Sequence, residues 1–477
     1  MKYETVIGVE VHTELRTNTK MFSGAPARHA KTPNTCVSEI DMAFPGTLPS
    51  LNRTAVRYGV MICAALGCEV DPLLRFDRKN YTYPDLPKGY QITQYFHPLG
   101  RNGSLLVKTG ENERKIRIAR VHLEEDTAKQ FHKGDLTYLD FNRAGIPLAE
   151  IVSEPDLRSA EETALFVAEL RNLLEFLGVS DAKMEEGSLR CDVNVSVRKA
   201  GEKTYGVKCE IKNLNSIADI RNAVREETKR QVELLEKGMP VRGMTLRYDE
   251  ASGKNTVLRM KEDTVDYKYF PDPNIPPVRL AEGFLEDIQK NMPELPQKKK
   301  ARYMSGFGLS EYEAGILTSS KGRAERFEKT LAYTKYPKIT AKLYLGDIAG
   351  MLREQGISME DAPFKEKDIA DLATAVGEER ISNKQAKDLL PEILKGKNAL
   401  NLIAERGIRR VADEQFIREA VGKVLRENEK TVQDYRSGKD RALGFLVGKV
   451  LKETKGTADP AYTHQLVKEE IDNPHSK

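Results

Sequence analysis

Thr5-Val6-Ile7-Gly8-Val9-Glu10-Val11-His12-Thr13-Glu14-Leu15 is the stretch that decides how the chain is read. With a period of two, Ile7, Val9, Val11 and Leu15 share one face, and Glu10, His12 and Glu14 share the other. This predicts a strand with one side for a core and one side of ionisable groups. Taken alone, that second side is better explained by a solvated sheet exterior than by a cation site.

The pattern recurs, which shifts the weighing. In Arg190-Cys191-Asp192-Val193-Asn194-Val195-Ser196-Val197-Arg198 the odd residues are apolar, and the even ones are Arg190, Asp192, Asn194, Ser196 and Arg198. In Val207-Lys208-Cys209-Glu210-Ile211-Lys212 the polar face is Lys208, Glu210 and Lys212. If these strands share a sheet, their polar faces form a basin of acids and bases. Oxygen ligands with one imidazole suit a hard divalent cation, magnesium above all. Two more acidic runs stand ready to join: His122-Leu123-Glu124-Glu125-Asp126 and Leu148-Ala149-Glu150-Ile151-Val152. A carboxylate amid apolar residues is costly to bury without a partner or a metal. Its other reading is a strand end at the surface.

Asp77-Arg78-Lys79-Asn80-Tyr81-Thr82-Tyr83-Pro84-Asp85 interleaves cations with aromatics. That suits a phosphate or a nucleobase, although an ordinary surface loop has the same composition. Met184-Glu185-Glu186-Gly187-Ser188-Leu189-Arg190 is a glycine turn whose amides can hold an anion.

Around these motifs the chain has 477 residues, enough for about three domains. It is 39% hydrophobic and 31% charged, a mix that buries a core and excludes wholesale disorder. The net charge, 76 − 72 = +4, permits a nucleic-acid partner without demanding one. The five cysteines include no C-x-x-C pair, so neither a disulfide framework nor a four-thiolate zinc site is expected. There is no G-x-x-x-x-G-K-[ST], G-x-G-x-x-G, H-E-x-x-H or G-x-S-x-G. No long apolar run and no secretory leader are seen, so the expected location is cytoplasmic, with no membrane partner.

The first 290 or so residues read as α+β, with turn clusters such as Asn102-Gly103 and two helices. One helix starts at the capping box Ser159-x-x-Glu162 and stops at Gly178; the other runs from Ser216 to Gly238. Pro271 to Pro277, then Met292 to Pro296 with Lys298-Lys299-Lys300, read as a stiff exit and a linker. Beyond that the pattern is helical, with a break near Gly407. The expected division is 1–292, 293–406 and 407–477. Physics alone stops at phosphoryl transfer without a P-loop, at a magnesium–carboxylate site.

Several of these strings carry a resemblance. Val6 to Leu15, Phe76 to Asp85, Leu123-Glu124-Glu125-Asp126, Ile151-Val152-Ser153-Glu154-Pro155-Asp156, Met184 to Asp192 and Glu210-Ile211-Lys212-Asn213-Leu214-Asn215-Ser216 closely resemble the B subunits of the aspartyl/glutamyl-tRNA amidotransferases. Tyr435-Arg436-Ser437-Gly438-Lys439 and Leu443 to Gly448 are similar to that family's tail. The resemblance implies a cradle domain on a mostly antiparallel sheet, a helical domain and a small helical tail. It implies partners: the amidase, or A, component of the amidotransferase, its small C component and misacylated tRNA. It also implies ATP and magnesium, used to phosphorylate the side-chain carboxylate of Glu-tRNA(Gln) or Asp-tRNA(Asn) before ammonia from glutamine displaces the phosphate.

Carried over residue by residue, Glu10, His12, Glu125, Glu150, Asp192 and Glu210 are expected at the metal. Lys79, Tyr81 and Glu124 are expected at the ammonia path or acyl pocket, with Glu125 also catalytic. Asn142, Arg143, Lys183 and Arg190 are weaker candidates for phosphate or the tRNA end, and Arg436, Lys439 and Arg441 for the tRNA body. Some members carry paired C-x-x-C motifs for zinc early in the cradle. Here the matching stretch keeps only Cys36, so no zinc is expected. Two rivals stand beside this: a non-enzymatic tRNA-docking scaffold, and a stand-alone carboxylate–amine ligase acting on a small molecule.

Overall fold

A computed structural model describes residues 2–110, 112–260, 267–408, 414–454, 458 and 460–472. The chain forms two compact units, Met1–Leu295 and Pro296–Lys477.

The first unit is α+β. Its strands are β1 (Tyr3–Glu14), β2 (Glu69–Val70), β3 (Leu73–Leu74), β4 (Asp77–Asn80), β5 (Tyr90–Thr93), β6 (Gly100–Thr109), β7 (Asn112–Glu125), β8 (Lys129–Lys133), β9 (Leu136–Asp140), β10 (Pro147–Ser153), β11 (Leu189–Lys199), β12 (Cys209–Leu214), β13 (Met244–Asp249), β14 (Lys254–Met260), β15 (Lys268–Pro271) and β16 (Val278–Arg279). The main sheet runs β14-β13-β12-β11-β1-β10-β7-β6-β2. Its neighbours are antiparallel except β12 and β13, which α3 (Ile217–Glu236) connects as a parallel pair. The deciding stretch is therefore the central strand, β1, flanked by β11 and β10.

The apolar faces of these strands pack into one core with α1 (Arg53–Ala65), α2 (Ala160–Leu177) and α3. Ile7, Val9 and Val11 from β1 join Leu170 and Leu174 from α2 and Ile220 and Val224 from α3. At about 25 cal/mol per Å² of buried apolar surface, this layer drives the sheet to hold one fixed register. A slip of one residue would bring Glu10 and His12 into the core.

The predicted helices form. Ser159 accepts from Glu162 N at 3.1 Å, and Gly178 ends α2 in the left-handed region at φ 72°. The expected reciprocal bond is redirected: the Glu162 carboxylate accepts from Arg158 N at 2.8 Å and from Arg114 Nη1 at 2.9 Å. Ser216 caps α3 through Asp219 N at 3.0 Å.

Two local expectations change. Asn102-Gly103 is not a turn between strands but lies inside β6, with Asn102 at φ 57° and β6 still paired to β7 on either side of it. Gly103 is needed for close approach, because a Cβ there would stand 2.4 Å from the Cys68 Sγ. Lys298 to Lys300 are not linker but helix, within Pro296–Phe307, and Lys299 Nζ pairs with Glu328 Oε1 at 2.8 Å.

The second unit is helical. It holds one core around Tyr303, Phe327, Tyr344 and Leu389, and another around Val421, Leu446, Val450 and Val467. Among the described residues no helix is long and apolar enough to cross a membrane.

Candidate active site

Register builds the site. His12 on β1 stands opposite Glu150 on β10, and Glu150 stands opposite His122 on β7. Opposed residues in an antiparallel pair bring their Cβ atoms to about 5 Å, so the three side chains form a row across the polar face. Glu150 Oε2 lies 3.1 Å from His12 Nε2 and 3.2 Å from His122 Nε2. Glu124, two residues along β7 on the same face, lies 3.6 Å from each imidazole. Thr93 Oγ1 on β5 donates to Glu124 Oε2 at 3.1 Å.

The row continues to the other side of β1. Glu10 stands opposite Asp192 on β11, and Asn194 Nδ2 donates to Glu10 Oε1 at 3.1 Å. Lys212 on β12 bridges Asp192 at 2.5 Å and Glu210 at 2.9 Å.

Crowding sets the charges. Burial pushes Glu150 up, but His122 and His12 outweigh it and hold the carboxyl well below its usual range. Burial pushes His122 down, but Glu150 and Glu124 raise it to about 9. Burial opposes the charge on His12 too, and Glu150 and Glu124 again raise it. Glu10 is raised by burial and by the neighbouring Glu150, Asp192 and Glu210. Burial works against the charge of Lys212, yet Asp192 and Glu210 raise it. The cluster thus concentrates negative potential and, without a cation, holds protons on its imidazoles.

The residues fit a hard divalent cation. His12, Glu124 and Glu150 each offer one ligand atom, all within 4.8 Å of one another. Two carboxylates and one imidazole make an oxygen-rich donor set of the kind magnesium or manganese takes.

A cavity of about 430 Å³ opens over the cluster. Its lining also includes Lys79, Arg120, Arg259, Tyr95, Tyr267 and Tyr269. Lys79 Nζ sits 4.9 Å from the Tyr267 ring centre and 5.6 Å from that of Tyr81. Tyr81 and Tyr267 meet edge-on at 5.4 Å. A second cavity of about 400 Å³ shares Glu10 and Arg120 and extends over Gly8 towards Tyr205 and Gly206. A third, about 370 Å³, shares His12, Asp192 and Lys212 and is bordered by Arg190 and Gly187. The second unit has a larger cavity, about 860 Å³, lined mostly by lysines and aliphatic residues. Among its described lining residues there is no acid–imidazole set, so the chemistry is assigned to the first unit.

The structure brings Glu10, His12, Glu124, Glu150, Asp192, Glu210 and Lys79 to one cavity. Tyr81 packs beside Lys79, its hydroxyl pushed up by burial and by Asp85 and Glu124. Glu125, expected at the metal, lies apart from this cluster. Strand alternation turns it to the opposite face of β7 from His122 and Glu124. There it pairs with Lys88 and accepts from Ile92 N at 3.0 Å.

Asn142 is buried as a pin, accepting from Cys36 N at 2.7 Å and donating to Thr32 O at 2.8 Å. Arg143 donates to the carbonyls of Thr127 and Ala128, both at 2.9 Å. Lys183 pairs with Glu186 on the surface at 2.7 Å. Arg190 stands next to the cluster, opposite His12 in register and 2.7 Å from Asp126. In the tail, Arg436 donates to Ile471 O at 2.8 Å and Lys439 pairs with Asp434 at 2.8 Å. Arg441 opens the exposed start of the helix Arg441–Glu453.

Sequence reasoning missed His122 as a member of the row. The signal was present, since it lies two residues before Glu124 and so shares its face. Arg259 on β14, Tyr269 on β15 and Tyr267 just before β15 arrive from far along the chain, and no local spacing marks them.

A P-loop-free sheet carrying an acid–imidazole cluster in a cavity with cationic and aromatic walls is the site of a catalytic protein, and comparison places it in a known class. Residues 5–286 match the model of the GatB/GatE catalytic domain, and residues 325–471 match that of the GatB domain. The chain is 43% identical over 471 residues to the B subunit of the aspartyl/glutamyl-tRNA(Asn/Gln) amidotransferase of Persephonella marina, covering 98% of this chain and 99% of the relative. It is 44% identical over 473 residues to the protein of that name from Caldanaerobacter subterraneus, covering 99% of this chain and 100% of the relative. Against its Listeria innocua counterpart it is 42% identical over 473 residues, covering 99% of each. The chain belongs to the family of aspartyl/glutamyl-tRNA(Asn/Gln) amidotransferase B subunits.

Proposed function

We propose that this chain performs the ATP-dependent half of tRNA transamidation, acting on Glu-tRNA(Gln) or Asp-tRNA(Asn). The observation that carries this is the His12–Glu150–His122 row with Glu124, sharing a cavity with Lys79, Arg120 and Arg259. A free carboxylate acylates poorly because its leaving group would be oxide. Its oxygen attacks the γ-phosphorus of ATP, the bond to the β-phosphate oxygen breaks, and ADP leaves. Ammonia then attacks the acyl phosphate carbon, phosphate departs with one former carboxylate oxygen, and the amide remains.

His12, Glu124 and Glu150 would hold magnesium, with Glu10, Asp192 and Glu210 around it; the cation supplies neutralisation of charge crowded between γ-phosphate and carboxylate. Arg120 and Arg259 neutralise phosphate oxygens. Lys79, supported by Tyr81, stands at the entry for ammonia together with Glu124. Glu125 acts as a positioning residue, tying β5 to β7 so that Thr93 orients Glu124. Arg190 faces the same basin, while Asn142 and Arg143 hold the loops around it and Lys183 stays at its edge. The amidase (A) and small (C) components complete the complex, and ammonia comes from glutamine on the amidase. Residues 293–406 and 407–477 form helical and tail domains, the latter meeting the tRNA body through Arg436, Lys439 and Arg441. No structural zinc is required. The site of action is the cytoplasm.

The test is the reconstituted complex with Glu150→Gln. Amide formation on misacylated tRNA should fall by about 100-fold or more while tRNA still binds. Unchanged amidation would sink the assignment.

A further inference from the structure

We propose that the stacked rings of Tyr95 and Tyr269, at the mouth of the carboxylate cavity, are a platform for a nucleobase, that of the 3′-terminal nucleotide of the aminoacylated tRNA. The proposal rests on the tRNA-dependent function above and assigns a further binding element to it.

The two ring centres lie 3.9 Å apart with 12° between their planes. Both rings line the same cavity as Glu10, Glu124 and Glu150. Tyr95 nevertheless remains 54% exposed, and Phe96, edge-on to it at 5.1 Å, remains 45% exposed. Large aromatics left in water at the lip of a charged cavity are unused stacking surface. A base offers a flat π-face to such a surface whatever its identity.

The platform is held rigidly. Tyr95 N and Phe96 N both donate to Asp77 Oδ2, at 2.8 and 3.0 Å, and Asp77 is only 1% exposed. Tyr269 stands on β15 opposite Lys79 on β4. Little ordering is therefore left to be done when a base arrives.

Position selects the source of the base. The carboxylate to be activated must reach the His12–Glu150–His122 row. In aminoacyl-tRNA that carboxylate hangs from the terminal ribose, so the terminal base lies one short tether away. A platform in the same cavity as the row, with Lys79 and Arg259 also lining it, meets that need. The base of ATP is the other source of the same chemistry.

The experiment uses the complete complex with both partner proteins. Wild type is compared with Tyr95→Leu and Tyr269→Leu, which remove stacking, and with Tyr95→Phe and Tyr269→Phe, which keep it. KM is measured separately for misacylated tRNA and for ATP. In parallel, tRNA ending in 2-aminopurine riboside reports stacking by fluorescence quenching. The Leu variants should raise KM for misacylated tRNA about tenfold, equivalent to about 1.4 kcal/mol, with KM for ATP unchanged. Quenching should be present in wild type and the Phe variants and lost in the Leu variants.

An unchanged KM for both misacylated tRNA and ATP in the Leu variants would overturn the platform, and no quenching in wild type would overturn its assignment to the tRNA base. A rise in the ATP KM alone would overturn the tRNA assignment and give the base to ATP. If the wild-type complex makes no amide, the proposed function fails, and quenching still decides the assignment to the tRNA base. Because wild-type quenching needs no substitution, a Leu variant that fails to fold leaves the test intact.

Discussion

The charge on His122 is set by the row itself and can be followed by titration. The ring is buried, which alone would push it below its ordinary value of 6.5, yet Glu150 at 3.2 Å and Glu124 at 3.6 Å raise it to about 9. At 1.36 kcal/mol per pH unit, that difference favours the protonated form by at most about 3 kcal/mol. The folded value lies above the unfolded one. The linked stability is therefore fully present below pH 6.5 and is lost as pH rises through about 9. Glu150→Gln keeps the shape but removes the nearer charge, so His122 should titrate lower by about one unit or more.

The assay is NMR of histidine-labelled protein across the range from mildly acidic to alkaline pH, with divalent cations chelated and His122 assigned by its Asn variant. Urea unfolding on either side of the transition, at about pH 6 and about pH 9, follows the stability. Wild type should lose up to about 3 kcal/mol between these two conditions through this group, and Glu150→Gln clearly less. A wild-type His122 titrating near 6.5, or one unmoved by Glu150→Gln, would refute the row as the source of its charge.

Glu125→Ala leaves Lys88 partly buried without its partner, so the protein should lose about 3 kcal/mol of stability in urea unfolding, while direct magnesium titration should weaken clearly less than in Glu150→Gln; weakened magnesium binding equal to that of Glu150→Gln would return Glu125 to the ligand set. Gly103→Ala drives a methyl to 2.4 Å from the Cys68 Sγ, so it should cost about 1–3 kcal/mol in urea unfolding, with part restored by adding Cys68→Ala. Ser216→Ala removes the α3 cap to Asp219 N and should cost about 1 kcal/mol in the same measurement, without shifting the magnesium affinity.

Much of this fold was legible because a two-residue period is a local property. The alternation in Thr5 to Leu15 and in Arg190 to Arg198 names both faces before any partner strand is known. Strand order is not local. That Glu150 falls between His12 and His122 depends on two registers, set by packing of Ile7, Val9 and Val11 against helices far along the chain. Glu125 shows the limit of motif reading. Its neighbour Glu124 has nearly the same sequence context, yet the pleat sends one to the acid–imidazole cluster and the other to Lys88. His122 was recoverable by applying the same alternation to its own run. Tyr269 was not, because only the pairing of β15 with β4 brings it opposite Lys79.

The central claim is that the side-chain carboxylate is phosphorylated before it is amidated. Misacylated tRNA carrying ¹⁸O in both side-chain carboxylate oxygens, incubated with the complex, ATP, magnesium and glutamine, tests it by mass spectrometry of the released phosphate. One ¹⁸O should appear in phosphate for each amide formed. Phosphate free of label, with amide still accumulating, would contradict it.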